Sequence, residues 1–366
     1  MGKNIGIITW HYYHGFGCAL QAYALQEVLN SLGYDVQIIN YRNFRNRHLC
    51  DSKWKEIAKT YIAHVTKHIK LHFFNRYKYS FELFRDEYLN QTRRFDDDLS
   101  DLSSFIKFNT VVCGSNQIWA PNVFNPVYMA DFVEADTSII SYSASIGLNY
   151  IPDELCDVYR KLLLRFHRIS VRETKGNELL KTRCGIDSIV TLDPTFLLPL
   201  DRYIEIEEEP CASGLNCGYI FCFFLNSDHD YASRVIEFNK NKHLKIVGYS
   251  KKIDDSSWME VHNEFGPREF LWITHNASYV FTDSYHGCIF ALLYNKDFFA
   301  FKRFLDTDEI CQNSRIYQLD YYFGIANRIL NERQIPRENY LDYSKINAAI
   351  EKLKSDSLKY LIEALM

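Results

Sequence analysis

Two stretches combine residue types and spacing that suit acid–base and anion chemistry. The sharper is Thr282-Asp283-Ser284-Tyr285-His286-Gly287-Cys288, where an apolar run from Tyr279 enters a polar turn and His286-Gly287 opens an apolar helix. An imidazole at a helix N-terminus sits beside unpaired backbone N–H groups. Those amides can hold phosphate while the histidine exchanges a proton near neutral pH. Most isolated histidines are structural, but this one stands between Asp283, Ser284 and a glycine, a setting that favours function. The other stretch is Ser170-Val171-Arg172-Glu173, with an arginine at the end of an apolar strand. Its planar fork suits a carboxylate or phosphate, and pairing with Glu173 or another acid is the structural alternative. Downstream, Lys302, Arg303 and Arg315 add positive groups, with surface charge as the plain alternative.

Two glycine-bearing turns could hold ligand through backbone and hydroxyl contacts. In Trp10-His11-Tyr12-Tyr13-His14-Gly15-Phe16-Gly17-Cys18, Gly15 and Gly17 let N–H groups approach a ligand at the start of a helix over 18–32. His11 and His14 face either that ligand or local backbone. A dinucleotide fingerprint fails here, because its third glycine falls on Leu20. In Val111-Val112-Cys113-Gly114-Ser115-Asn116-Gln117-Ile118-Trp119, a buried strand ends in a polar cluster. Ser115, Asn116 and Gln117 are placed to bond hydroxyls, with Trp119 available to stack on a sugar. A capped helix start is the equally weighted alternative.

The elements that must position these residues follow a β–α rhythm. Strands are expected at 5–10, 36–41, 109–113, 138–143 and 168–171, then at 218–224, 244–249, 279–282 and 298–301. Helical patterns at 229–241, 267–276 and 286–294 separate the second set. A hinge near 195–215 divides the chain. We expect an α/β protein with an N-terminal domain over 1–198, carrying a basic helical insertion at 42–105, and a C-terminal domain over 199–343. An amphipathic helix over 344–366 should pack on one of them.

Composition narrows the class. With 366 residues and 47% hydrophobic content the chain can bury two cores, and a net charge of −4 gives no global reason to expect nucleic acid. The ten cysteines form no C-x-x-C pair, and several sit in apolar runs, which predicts reduced core thiols and a cytoplasmic setting. Neither a signal peptide nor a membrane span is evident. Residues 42–80 carry ten Lys/Arg against two acids, interleaved with apolar positions. Such a segment can touch an anionic membrane surface or acceptor, or be a solvated basic face.

Taken in order, Ile5-Gly6-Ile7-Ile8-Thr9 with Gly17-Cys18-Ala19-Leu20-Gln21, Gly114-Ser115-Asn116-Gln117-Ile118-Trp119, Ser170-Val171-Arg172-Glu173, Asp193-Pro194-Thr195 and Thr282-Asp283-Ser284-Tyr285-His286-Gly287 resemble the polysaccharide pyruvyl transferase family. The resemblance spans residues 5–330. It implies two Rossmann-like domains facing a cleft, as in GT-B enzymes, with phosphoenolpyruvate as co-substrate and neither metal nor cofactor. It implies His286 and Arg172 as catalytic residues. Ser284, Gly287, Cys288, Arg303 and Arg315 fall on the donor side, and His14, Gly15, Gly17, Ser115, Asn116, Gln117 and Trp119 on the acceptor side. Many members carry Arg-Leu-His where this chain has Ser284-Tyr285-His286, so donor binding must rest on Arg172, Arg303 or Arg315, and backbone amides. The acceptor would be a sugar or lipid-linked oligosaccharide of a bacterial surface glycan. The competing expectations are a nucleotide-sugar glycosyltransferase and a non-catalytic glycan-binding protein.

Overall fold

The computed structural model describes residues 4–42, 76–96, 107–210, 215, 218–226, 229–249, 257–262, 265–331 and 333–366. Most of the basic segment 42–80 and part of the expected insertion 42–105 lie outside these residues.

Short, nearly all-buried apolar runs make two parallel sheets, as expected of strands covered on both faces. The first sheet contains β1 (Asn4–Ile8), β2 (Asp35–Ile38), β3 (Thr110–Cys113) and β4 (Ser138–Ser141), in the order β2-β1-β3-β4. The second contains β5 (Tyr219–Phe223), β6 (Lys245–Tyr249), β7 (Glu260–Val261), β8 (Tyr279–Thr282), β9 (Asp297–Phe301) and β10 (Ile329–Leu330), in the order β7-β6-β5-β8-β9-β10. The run expected as a strand at 168–171 lies beside β4: Arg168 bridges Ile140, Val171 bridges Ala144, and Ser170–Val171 pairs on its other side with Ile189–Val190.

Each sheet has one place where neighbouring strands send their chains to opposite sides. These switch points lie between β1 and β3 and between β5 and β8, and their carboxyl ends are where α/β sheets gather ligands. The first is followed by α1 (Phe16–Ser31) and the polar loop 114–117. The second is followed by the loop 224–226 and, beyond β8, by α6 (Tyr285–Leu293). The other long helices are α2 (Arg76–Tyr88), α3 (Asp153–Leu163), α4 (His229–Asn239), α5 (Pro267–Asn276), α7 (Ser314–Phe323) and α8 (Tyr343–Leu365).

The two sheets share one apolar cluster that runs from Ile5 and Leu20 to Phe221 and Phe270. Its plug is Phe16, the first residue of α1. Its ring meets Phe223 of β5 at 5.2 Å, Tyr249 of β6 at 5.3 Å and Phe270 of α5 at 4.8 Å between centroids. Edge and tilted ring contacts of this kind add to plain area burial and fix orientation. The helix α8 also straddles both halves. Tyr343 at its start hydrogen-bonds the Lys296 carbonyl beyond α6, while Tyr360 donates to the Ser141 carbonyl of β4 at 3.0 Å and Ser357 Oγ accepts the Leu192 amide at 3.0 Å.

Candidate active site

At the end of β8, Ser284 caps α6, so His286 becomes the second helical residue, as its sequence setting predicts. The imidazole points at the other switch point. It packs over Gly17 in the first turn of α1, and a Cβ built there would fall 2.1 Å from His286 Nδ1. Only a glycine allows this approach. The opposite ring nitrogen, Nε2, lies 3.4 Å from Asp193 Oδ2 and has no well-formed hydrogen bond.

Asp193 is the centre of the site and is fully buried. Its Oδ2 pairs with Arg172 Nη1 at 2.9 Å, and its Oδ1 accepts from the Thr195 amide at 3.1 Å and the Thr195 hydroxyl at 2.7 Å. Burial alone would push this carboxyl up. The His286 imidazole, the Arg172 guanidinium and the Thr195 donors outweigh it and hold the carboxyl below the usual range. For His286 the balance goes the other way: burial lowers it despite Asp193, so added negative charge, such as a bound anion, is what would favour its protonated form.

Arg172 is likewise buried, and it is already neutralised. Besides Asp193 it pairs with Glu173 through Nε at 3.1 Å, and its guanidinium lies 4.6 Å from the centroid of the Tyr285 ring. Burial favours losing its proton, but Glu173, Tyr285 and Asp193 more than reverse that. The two ion pairs occupy Nε and Nη1, and Nη2 has no hydrogen-bond partner among the described residues. Arg172 occupies the paired alternative, because two carboxylates sit within reach on adjacent buried chain.

Arg315 differs. It lies in the first turn of α7, is only 8% exposed, and no carboxylate among the described residues comes within ion-pair distance. Its neighbours are Gln312, whose Oε1 accepts from Arg315 Nη2 at 2.6 Å and from Arg303 Nη2 at 3.3 Å, and the Tyr285 ring, 5.8 Å away. Burial, then repulsion from Arg172 and Arg303, pulls Arg315 down to about 9, which leaves it cationic at neutral pH. Glu173 opposes this shift from a distance, and a buried cation with no ion-pair partner among the described residues is suited to bind an anion.

Several other expected contacts are used up within the protein. The amide of Gly287 is capped by Ser284 Oγ at 3.4 Å and that of Cys288 bonds the Ser284 carbonyl at 3.0 Å, so neither is open to a donor anion. Trp119 is a core residue with its indole N–H on the Tyr128 carbonyl, and cannot stack on a sugar. Ser115 is fully buried, with Oγ on the Ser143 carbonyl at 2.8 Å and its amide on Gln21 Oε1 at 3.1 Å. Asn116 bonds Cys18 Sγ and the Gln117 amide, and Gln117 Nε2 is packed against Gly147. Gly15 is the N-cap of α1 and His14 stands edge-on to Phe81 at 5.8 Å. His11 is completely buried on Thr9 and Asn40, and burial lowers it to about 4. Asp283 takes the amides of Leu225 and Asn226 at 2.7 and 2.8 Å and so ties the β5 loop to the end of β8, while burial raises it to about 6. Among the described residues no group of His, Cys, Asp and Glu is arranged to hold a metal, and no helix is long and apolar enough to cross a membrane.

Two parallel sheets whose switch points meet at a histidine, a buried carboxylate and an unpaired arginine define a GT-B-like two-domain α/β enzyme. Residues 16–303 match the polysaccharide pyruvyl transferase family, and the chain belongs to it. Among solved structures, UDP-N-acetylglucosamine 2-epimerase from Rickettsia bellii superposes with a TM-score of 0.54 and 11% identity over 99% of this chain and 96% of that one. The UDP-GlcNAc 2-epimerase from Methanocaldococcus jannaschii gives 0.51 and 10% over 96% and 100%. At these identities the likeness is one of fold. No curated protein sequence matches the chain.

Proposed function

We propose that this transferase moves pyruvate from phosphoenolpyruvate to a sugar of a bacterial surface glycan, as a cyclic ketal, in the cytoplasm and on a free or lipid-linked acceptor. The observation that carries the proposal is Arg315, a buried guanidinium with no carboxylate at ion-pair distance among the described residues, 5.8 Å from the Tyr285 ring on which Arg172 also packs. A small dianion supplies the charge that Arg315 and Arg303 lack.

In this scheme Arg315, aided by Arg303, binds the anionic groups of phosphoenolpyruvate. His286, kept in place by Asp193 and Gly17, delivers a proton to the methylene carbon. The C2 carbon becomes electron-poor, one sugar hydroxyl oxygen bonds to it, and a second then displaces phosphate. Each hydroxyl loses one proton in total. One is replaced on the new methyl group and the other leaves with phosphate, so the step balances without an oxidant. Arg172 acts through Asp193 and is a positioning residue.

The test is phosphate release from phosphoenolpyruvate in the presence of sugar acceptors. Release by the wild type and its loss in His286→Ala with an intact fold is the expected result. Stabilisation by nucleotide sugars with none by phosphoenolpyruvate would refute the donor.

A further inference from the structure

Asp193 faces His286 on one side, and on the other it shares Arg172 with a second buried carboxylate, Glu173. We infer that Glu173 is a further positioning residue: by holding the Nε edge of Arg172 it keeps that guanidinium from neutralising Asp193 alone, and so leaves negative charge turned toward His286. The use of His286 as proton donor belongs to the proposed transfer; the chain of contacts behind it stands independently.

That chain is continuous. Ser145 Oγ donates to Glu173 Oε1, and the same oxygen accepts from Arg172 Nε at 3.1 Å. Arg172 Nη1 donates to Asp193 Oδ2 at 2.9 Å, and this oxygen lies 3.4 Å from His286 Nε2. Side-chain exposure is 1% for Arg172, 2% for Glu173 and 0% for Asp193, so solvent ions screen these charges little. Both ends are fixed by backbone. The Ser145 amide bonds the Asn116 carbonyl at 2.8 Å and its carbonyl accepts the Trp119 amide at 3.2 Å, while Thr195 clamps Asp193.

The charges explain what such a chain does. One guanidinium between two carboxylates leaves one negative charge, which an imidazolium at His286 would complete. With Asp193 as the only carboxylate the pair would be neutral, and a buried imidazolium would face a dipole in place of a charge. The other groups around the ring do not supply that charge. Arg172 and Arg315 oppose protonation of His286, α1 meets the ring with the backbone of Gly17, and Tyr285 stands edge-on at 5.3 Å with its phenol held neutral by burial. Glu173 reaches the imidazole through Arg172, by offsetting the cation that opposes Asp193.

The experiment follows His286 itself in the full chain, by NMR of histidine-labelled protein, with its resonance assigned by its loss in His286→Gln. Glu173→Gln retains an acceptor for Arg172 Nε and Ser145 but removes the charge. His286 should then titrate at least about half a pH unit lower than in the wild type. Ser145→Ala removes a donor from Glu173, leaves more of its charge to act on Arg172, and should move His286 the opposite way. Glu173→Asp, which restores the charge, should return His286 toward the wild-type titration. A merely structural Glu173 would change urea unfolding without moving this titration. An unmoved His286 in Glu173→Gln, shifts of the same sign in Glu173→Gln and Ser145→Ala, or a wild-type His286 that takes up no proton before the fold melts would each overturn the assignment. The expected shifts in a protein that leaves phosphoenolpyruvate intact would uphold the positioning role and remove the proposed transfer instead.

Discussion

The imidazole of His286 rests on the backbone of Gly17, with no space between them for a methyl group. This contact joins the two switch points, and Phe16 beside it locks the start of α1 into the second sheet. We expect Gly17→Ala to shift the imidazole and lower kcat/KM by about 100-fold, the scale of an ångström-sized misplacement. Gly15→Ala, whose new Cβ would meet Cys18 Sγ at an ordinary 3.4 Å, should stay within a few-fold of wild type. Steady-state pyruvyl transfer by the two variants checks the contrast.

Arg315 and Arg172 should respond oppositely to loss of charge. Arg315→Met removes a buried cation without a carboxylate partner, so stability should hold or rise while the KM for phosphoenolpyruvate increases about 10- to 100-fold. Arg172→Met leaves the buried Asp193 and Glu173 carboxylates without their shared guanidinium and should cost about 3–5 kcal/mol. Urea unfolding and donor titration of the pair separate the two roles.

Asp193→Asn keeps the shape but removes the charge that faces His286 and Arg172. We expect kcat to fall about 100-fold or more, with the acid limb of the pH–rate profile displaced, because protonated His286 loses its nearest counter-charge. An unchanged profile would separate the carboxylate from the proton transfer.

The stability of the protein should decline on the acid side. Burial lowers His11 from 6.5 to about 4. Above pH 6.5 both folded and unfolded forms are neutral there. Below it the unfolded chain takes up a proton that the folded site refuses, so stability falls as pH drops toward 4. The full effect is about 3 kcal/mol at 1.36 kcal/mol per unit. His286 adds a loss of the same sign. In His11→Gln, urea unfolding between pH 7 and 5 should show a shallower decline than the wild type.

Much of this was legible from sequence, for identifiable reasons. Strands such as Tyr219–Phe223 are buried on both faces and read as continuous apolar runs, and the polar turn before His286 announces a capped helix. What escaped was pairing across the chain. Nothing local to Arg172 says that Asp193, twenty-one residues on, reaches it; the only signal was the Asp-Pro-Thr motif that caps a short helical turn. Trp119 looked like a sugar platform because its exposure depends on Tyr128 and Phe166, which are distant in sequence. The helix α7 was missed, since Ser314–Phe323 mixes polar and aromatic residues without a clear stripe.

The most direct test of the central claim is incubation of the full chain with phosphoenolpyruvate and a panel of sugar acceptors, followed by paired measurement of inorganic phosphate and sugar mass. One phosphate released for each pyruvyl group gained, with both signals lost in His286→Ala and restored toward wild type by high donor concentration in Arg315→Met, is the predicted result. A protein that leaves phosphoenolpyruvate intact with every acceptor, or turns over a nucleotide sugar in its place, would contradict it.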